Sequence, residues 1–381
     1  MKILFVIDKM RNYAGIERIL SCKMNYITHQ TSHEVYLMTY EQQNQPLPFS
    51  LDDNIIHLPI DIMMPQRSEM TIFQWLKAYH DARRHFRHHF NSLIKDIYPD
   101  LVISTVYSYQ VLDVIINTCY TKGIKTIMES HTQGETVTIA YKFKYNRILF
   151  NLFSLWDCYI MRSLKFCNLV VTLTKQDIPF WQKYSKRIIV IPNMLTITPK
   201  KVVDYEVKRV ISAGRYMSEK GFDMLLEAWH LLPQQFSDWH LYIFGNGDRS
   251  VYIKIVDKYN MGGTVHLMSA TNDIAQEFSK SSLYVMSSRY EGFGLVLAEA
   301  MSCGLPCVSF DCPYGPREII KDGEDGLLAI NQDVEDLSHK MARLMSDDKL
   351  RQAMGEQAIR NIARYEPRVI MNQWINLFET L

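Results

Sequence analysis

Short apolar runs alternate along the chain with stretches in which apolar residues recur every three or four positions, and the alternation continues through both halves. Runs of the first kind read as buried strands and stretches of the second kind as amphipathic helices, so the pattern predicts parallel sheets covered by helices. In the first half the strands fall at 3–7, 35–39, 101–104, 125–129 and 169–172, with 187–193 closing that half. In the second half they fall at 209–213, 240–244, 265–267, 283–286 and 306–310. Helices are expected at 222–231 and from Leu295, and the segment 367–381 carries Ile370, Trp374, Leu377 and Phe378 along one face. At 381 residues the chain exceeds what one hydrophobic core usually supports. The reading is therefore α/β, with a first domain at 1–194, a linker at 195–204, a second domain at 205–366 and a closing helix at 367–381.

Composition adds limits. The strand at 3–7 leaves no room for a signal-peptide pattern, and no uncharged run approaches the ~20 apolar residues of a membrane span, so a cytoplasmic location is expected. Seven scattered cysteines lack metal-ligand spacing and read as reduced and packed. The net charge of +1 hides an asymmetry: residues 1–190 hold 22 Lys/Arg against 16 Asp/Glu, and the remainder is acidic. Two stretches concentrate the cations. In 75–95, Lys77, Arg83, Arg84 and Arg87 accompany Leu76, Tyr79, Phe86, Phe90 and Leu93; in 142–166, Lys142, Lys144, Arg147, Arg162 and Lys165 flank an aromatic-rich run. Cations among aromatics suit an anionic membrane surface, and equally suit ordinary helices that pack an apolar stripe and solvate their charges.

Chemistry concentrates in five places. In Ser288-Arg-Tyr-Glu-Gly-Phe-Gly-Leu, continuing to Ser309, Glu291 and Glu299 stand eight residues apart across a glycine turn. Gly292 and Gly294 allow the turn, and the amides of Phe293, Gly294 and Leu295 open a helix whose N-terminus favours an anion. Carboxylates flanking an anion site suit acceptance of hydrogen bonds from neutral sugar hydroxyls, although each alone also reads as a cap or a solvated charge. In Ile211-Ser-Ala-Gly-Arg-Tyr-Met-Ser-Glu-Lys-Gly, a strand ends at Gly214 and is followed by Arg215 and Lys220, cations of the kind a departing diphosphate requires. Gly245 begins a Gly-Asn-Gly turn at another strand end, weak evidence alone. In the first half, Gly15 and Ile16 open a helix after the first strand, and His131 follows the strand 125–129.

Together these motifs resemble the retaining family-four glycosyltransferases of GT-B fold, the group 1 glycosyltransferases. The E-x7-E pair Glu291/Glu299 and the G-R-x4-K-G string from Gly214 match that family's donor-site motifs, and 312–328 is similar to its G-P-x-E-I segment. One departure stands out: Ala14 replaces the first glycine of the usual pair before Gly15. The resemblance implies two Rossmann-like domains with parallel sheets facing across a cleft and a final helix crossing back to the first. It also implies transfer of a glycosyl group from a nucleoside diphosphate sugar, UDP being preferred, with retention of configuration. In that picture Arg215 and Lys220 stabilise the leaving diphosphate, Glu291 orients the sugar, Glu299 holds the ribose, and His131 contacts the sugar through its ring or its main-chain carbonyl. Gly15, Ile16, Gly214, Gly245, Phe293, Gly294 and Leu295 line the donor.

No metal and no cofactor are expected beyond the sugar nucleotide, and no nucleic-acid partner. The implied acceptor is a lipid-linked sugar or oligosaccharide in surface-polysaccharide or lipopolysaccharide synthesis, with peripheral membrane contact through 75–95 and 142–166. An NAD-dependent Rossmann enzyme is disfavoured because no intact G-x-G-x-x-G follows the first strand. A non-catalytic sugar-nucleotide-binding or membrane-scaffolding protein stays open as the alternative.

Overall fold

The alternating pattern folds into two separate parallel sheets, one in each half of the chain. The computed structural model describes residues 1–65, 70–138, 141, 147–199 and 203–381, and these divide into two units: Met1–Pro192 with Met371–Leu381, and Asn193–Ile370.

The first unit contains β1 (Lys2–Ile7), α1 (Gly15–Gln30), β2 (Glu34–Thr39), β3 (Ile56–Pro59), α2 (Ile72–Ile97), β4 (Leu101–Thr105) and α3 (Leu112–Thr121). It continues with β5 (Lys125–Glu129), α4 (Gly134–Val137), α5 (Arg147–Met161), β6 (Leu169–Thr172), α6 (Ile178–Trp181) and β7 (Ile188–Val190). Its sheet order is β3-β2-β1-β4-β5-β6-β7, every neighbouring pair parallel. Ile3 through Ile7 are all buried, the continuous apolar run expected of a strand covered on both faces.

The second unit contains β8 (Arg209–Ala213), α7 (Phe222–His230), β9 (His240–Gly245), α8 (Ser250–Lys258), β10 (Val265–Ser269), α9 (Ile274–Ser279) and β11 (Leu283–Met286). After these come α10 (Leu295–Ser302), β12 (Cys307–Phe310), α11 (Pro316–Ile319), β13 (Gly326–Ala329), α12 (Val334–Met345) and α13 (Asp348–Ile362). The order β10-β9-β8-β11-β12-β13 is again all parallel. Each sheet is doubly wound, so its strand order reverses once, between β1 and β4 in the first and between β8 and β11 in the second. Loops leaving the C-terminal ends of the strands at such a reversal diverge and leave a crevice.

Two expectations are modified. Where it is described, the segment 195–204 is packed chain of the second unit: the Leu195 amide donates to the Tyr365 carbonyl at 2.8 Å, and Val203 is buried. The final helix, α14 (Pro367–Thr380), buries Ile370, Trp374 and Phe378 as expected and adds Met371, while Leu377 is only half-buried; its residues from Met371 onward group with the first unit. Two short strands, β3 and β13, go beyond the predicted set.

Candidate functional site

In the second unit the residues singled out in the sequence gather at the C-terminal ends of β8 and β11. Leaving β8, the chain passes Gly214 and Arg215, makes one 3-10 turn over Ser218–Lys220 and enters α7 through Gly221. Gly221 has φ of +62°, and a Cβ there would lie 2.1 Å from the Ser287 carbonyl oxygen, so the loop can close against β11 only with glycine at this point. The Ser287 hydroxyl donates to the Lys220 carbonyl at 2.9 Å. The ends of β8 and β9 approach just as closely, since a Cβ on Gly245 would stand 1.9 Å from the Gly214 carbonyl oxygen.

This packing places Lys220 Nζ 2.8 Å from Glu291 Oε1, and the Ser288 hydroxyl donates to the same oxygen at 2.6 Å. Burial opposes the ammonium, but attraction to Glu291, its hydrogen bond and nearby Glu219 outweigh that cost, and the Lys220 pKa is raised. The sequence assigned these two residues to different parts of a ligand; the structure pairs them with each other. Arg215 turns elsewhere: its guanidinium donates to Glu219 at 2.6 Å, with 57% of the side chain exposed.

Arg289 and Asp223 were not singled out in the sequence. The Arg289 guanidinium grips Asp223 through both carboxylate oxygens at 2.9 and 2.6 Å and donates to the Ser218 carbonyl at 2.6 Å. Its own amide donates to the Glu219 carbonyl, so one residue fastens the Glu291 loop to the Lys220 loop. Burial disfavours the Asp223 carboxylate, yet this grip holds its pKa below the ordinary value. The signal available was Arg289 inside the same string as Glu291, but a surface arginine reads alike.

Gly294, at φ of +93°, caps α10. Phe293 is buried and meets Tyr365 edge to face at 5.2 Å, which makes its side chain a packing group. Leu295 opens the helix half-buried. Glu299 lies one turn on with 0% exposure, and Thr196 donates its hydroxyl to Oε1 at 2.5 Å. Arg317, in the glycine-proline segment, is largely exposed and paired with Asp311. Among the described residues no three His, Cys, Asp or Glu side chains converge as ligands for a metal ion.

In the first unit, Gly15 is exposed and Ile16 half-buried at the start of α1, after the extended Ala14. His131 follows β5 with its ring turned inward: the side chain is 3% exposed, and Nε2 lies 3.3 Å from Glu129 Oε1. At the end of β1, burial foremost pushes the Asp8 carboxyl up to about 6, against the pull of Lys9. The basic stretch on α2 is thinner than expected, because Arg83 is buried against Asp113 and the Gln110 carbonyl. Trp75 and Tyr79 are buried too, stacked at 5.2 Å, while Leu76 faces outward. Lys142 and Lys144 lie outside the described residues.

Residues 195–361 match the model of the family described as glycosyl transferases group 1. The match covers less than half of the chain and is a resemblance of these residues to that family. The family match falls on the unit that holds Lys220, Glu291 and Glu299. An amylovoran biosynthesis glycosyltransferase of Erwinia amylovora is 26% identical to this protein over 98% of both chains. An uncharacterized glycosyltransferase of Haemophilus influenzae is 32% identical over 55% of this chain and 60% of its own length, so that match spans less than two thirds of the relative. The solved sucrose-phosphate synthase of Thermosynechococcus elongatus shares the fold, with a TM-score of 0.77 at 17% identity, covering 100% of this chain and 98% of that one. The fold is therefore GT-B, built from two Rossmann-like units and a C-terminal helix.

Proposed function

We propose that this protein moves a sugar from a nucleoside diphosphate sugar, with UDP as the expected base, to a hydroxyl of a lipid-linked sugar or oligosaccharide in surface-polysaccharide synthesis, retaining configuration and using no metal. The observation that carries this reading is the Lys220–Glu291 pair at the point where the second sheet reverses. In the reaction the bond between the anomeric carbon and the β-phosphate oxygen breaks, a bond from that carbon to the acceptor oxygen forms, and the acceptor proton passes to the leaving phosphate. A diphosphate at this crevice competes with Glu291 for the Lys220 ammonium, and negative charge growing on the leaving oxygen strengthens that contact as the bond breaks. Arg215, exposed and paired with Glu219, is the second cation, which a bound diphosphate would draw from that partner. Glu291, relieved of Lys220, accepts from sugar hydroxyls. The ribose role for Glu299 requires its carboxylate to exchange the Thr196 hydroxyl for a ribose hydroxyl.

The likeness along nearly the whole of a polysaccharide-biosynthesis glycosyltransferase supports the acceptor class. Exposed apolar and basic groups on α2 and α5 support contact with an anionic membrane, where such an acceptor would be held; no described helix is long and apolar enough to cross one. A thermal-shift screen of UDP, GDP, ADP and their sugar conjugates tests the donor, because a ligand of the folded state stabilises by RT ln(1 + [L]/Kd). One nucleotide series should raise the melting temperature. No rise with any at millimolar concentration would remove the donor reading and leave the membrane-scaffolding alternative.

A further inference from the structure

Between α13 and α14 the chain makes one 3-10 turn, Ala363–Tyr365, and two of its side chains reach separate segments of the second unit. Toward the glycine-proline segment, one Arg364 nitrogen donates to the Glu318 and Ile319 carbonyls at 3.2 and 2.6 Å, and the Tyr365 hydroxyl donates to the Glu318 carbonyl at 2.9 Å. Carbonyls at the end of a helix as short as α11 have no partner further along it, and these bonds supply one. Toward the Glu291 loop, the Tyr365 ring is 6% exposed and packs edge to face on Phe293. Toward the start of the unit, the Tyr365 carbonyl accepts from the Leu195 amide, and the next residue, Thr196, is the one that bonds Glu299. The two side chains also brace each other, with the Arg364 guanidinium 4.6 Å from the centroid of the Tyr365 ring and its other nitrogen on the Asn361 carbonyl.

The segments gathered by this turn lean on one another. Gly315 runs so close to the Glu291 loop that a Cβ there would stand 2.0 Å from the Phe293 carbonyl oxygen, and the Glu291 amide donates to the Pro313 carbonyl at 3.3 Å. A displaced α11 therefore shifts the main chain of Glu291 with it. A displaced Leu195 carries Thr196 along, and with it the hydroxyl that sets the Glu299 carboxylate. The turn thus acts on both carboxylates through their neighbours.

We propose that Arg364 and Tyr365 are positioning residues that hold Glu291 and Glu299 at one spacing, so that the sugar and the ribose of a single donor are kept in reactive register. The proposal rests on the donor reading above for the sugar and the ribose, and on the geometry alone for the clamp. Hydrogen exchange of the full chain tests the clamp without substrate. An Arg364→Met/Tyr365→Phe variant should exchange the Leu195 and Glu291 amides about 10-fold faster or more, while Ile243 in β9 keeps the wild-type rate. Unchanged exchange at both amides overturns the proposal. With the donor found by the thermal screen, the same variant should lose about 10- to 100-fold in kcat while nucleotide Kd changes by less than about 3-fold. Met354→Ala controls for plain loss of stability, because it empties a buried site on α13 and removes no hydrogen bond of the turn. It should keep the wild-type kcat. Wild-type kcat in the double variant, or an equal loss in Met354→Ala, overturns the positioning role. Should the double variant not fold, Tyr365→Phe alone decides, since it keeps the ring and loses only the bond to Glu318: a fall in kcat at unchanged Kd is expected, and wild-type kcat overturns the proposal. A wild type that turns over no sugar nucleotide removes the donor reading and the positioning role with it, and exchange at Leu195 and Glu291 then reports on the clamp alone.

Discussion

Lys220 and Glu291 stand 2.8 Å apart although 71 residues separate them in the chain, and two glycines make that meeting possible. Lys220→Met should lower kcat by about 10²–10³, the scale of one lost charge-stabilising donor, while the urea midpoint moves little; a variant with wild-type turnover would take Lys220 out of the reaction. Glu291→Ala should abolish donor hydrolysis, and equal hydrolysis by both proteins would remove its role. The glycines give a stability test. Gly245→Ala drives a Cβ into the Gly214 carbonyl and should cost about 2 kcal/mol or more, whereas Gly263→Ala, with nothing within 4 Å, should stay within about 0.5 kcal/mol in urea titrations. Lys220, Glu291 and the glycines were legible because each lies in a short string whose spacing has a chemical meaning. Arg289 with Asp223 and Lys23 with Glu129 were not, because pairing across 66 and 106 residues depends on tertiary packing that no local pattern encodes.

At the scale of elements, continuous apolar runs betrayed the central strands, which are covered on both faces. The edge strand β3, reading Ile-His-Leu-Pro, has only two aliphatic residues, one of them exposed, and ends on proline, and β13 opens with the glycine of a motif, so neither gave a run to see. The period of α2 was legible, but not which cations it buries: Thr71 and Gln74 cap it reciprocally, Phe86, Phe90 and Ile94 fill the core, and Arg83 goes inward with them. What α2 and α5 leave outside is Phe73 at 82% and Leu155 at 74% exposure, with Leu76, Tyr159, Lys77, Arg84 and Arg87, over a seam where Trp75 meets Phe153 edge to face at 6.2 Å. Such a face favours anionic lipid through apolar insertion and about 1 kcal/mol per cation near the headgroups. The wild type should co-sediment with phosphatidylglycerol vesicles, less so at high salt, and Phe73→Glu/Leu155→Glu should release it. Equal sedimentation with phosphatidylcholine alone, or no difference between the proteins, would dismiss the surface.

For the whole molecule, the closing helix gives the first unit its own test, because α14 supplies residues from Met371 onward to that unit and sets Trp374 against the buried Lys23. Trp374→Ala removes a fully buried indole and the face that shields the ammonium, and should cost about 3–5 kcal/mol in urea unfolding. The same cluster fixes how the protein meets acid. Glu129 titrates at about 2 when folded and near 4.5 when unfolded, so its contribution is fully present above pH 4.5 and is lost as the pH falls toward 2, where the unfolded chain has already taken its proton. Asp8, raised to about 6, works in the opposite sense: the folded state holds its proton longer, and stability falls as pH rises from about 4 to 6. Melting temperatures of wild type alone would mix the two. The difference between wild type and the Lys23→Met/Glu129→Met variant isolates the first, and it should shrink as pH is lowered from 4.5. A difference that stays constant over that window would mean that Glu129 is not held as an anion by Lys23 and His131, and the acid sensitivity would lose its cause.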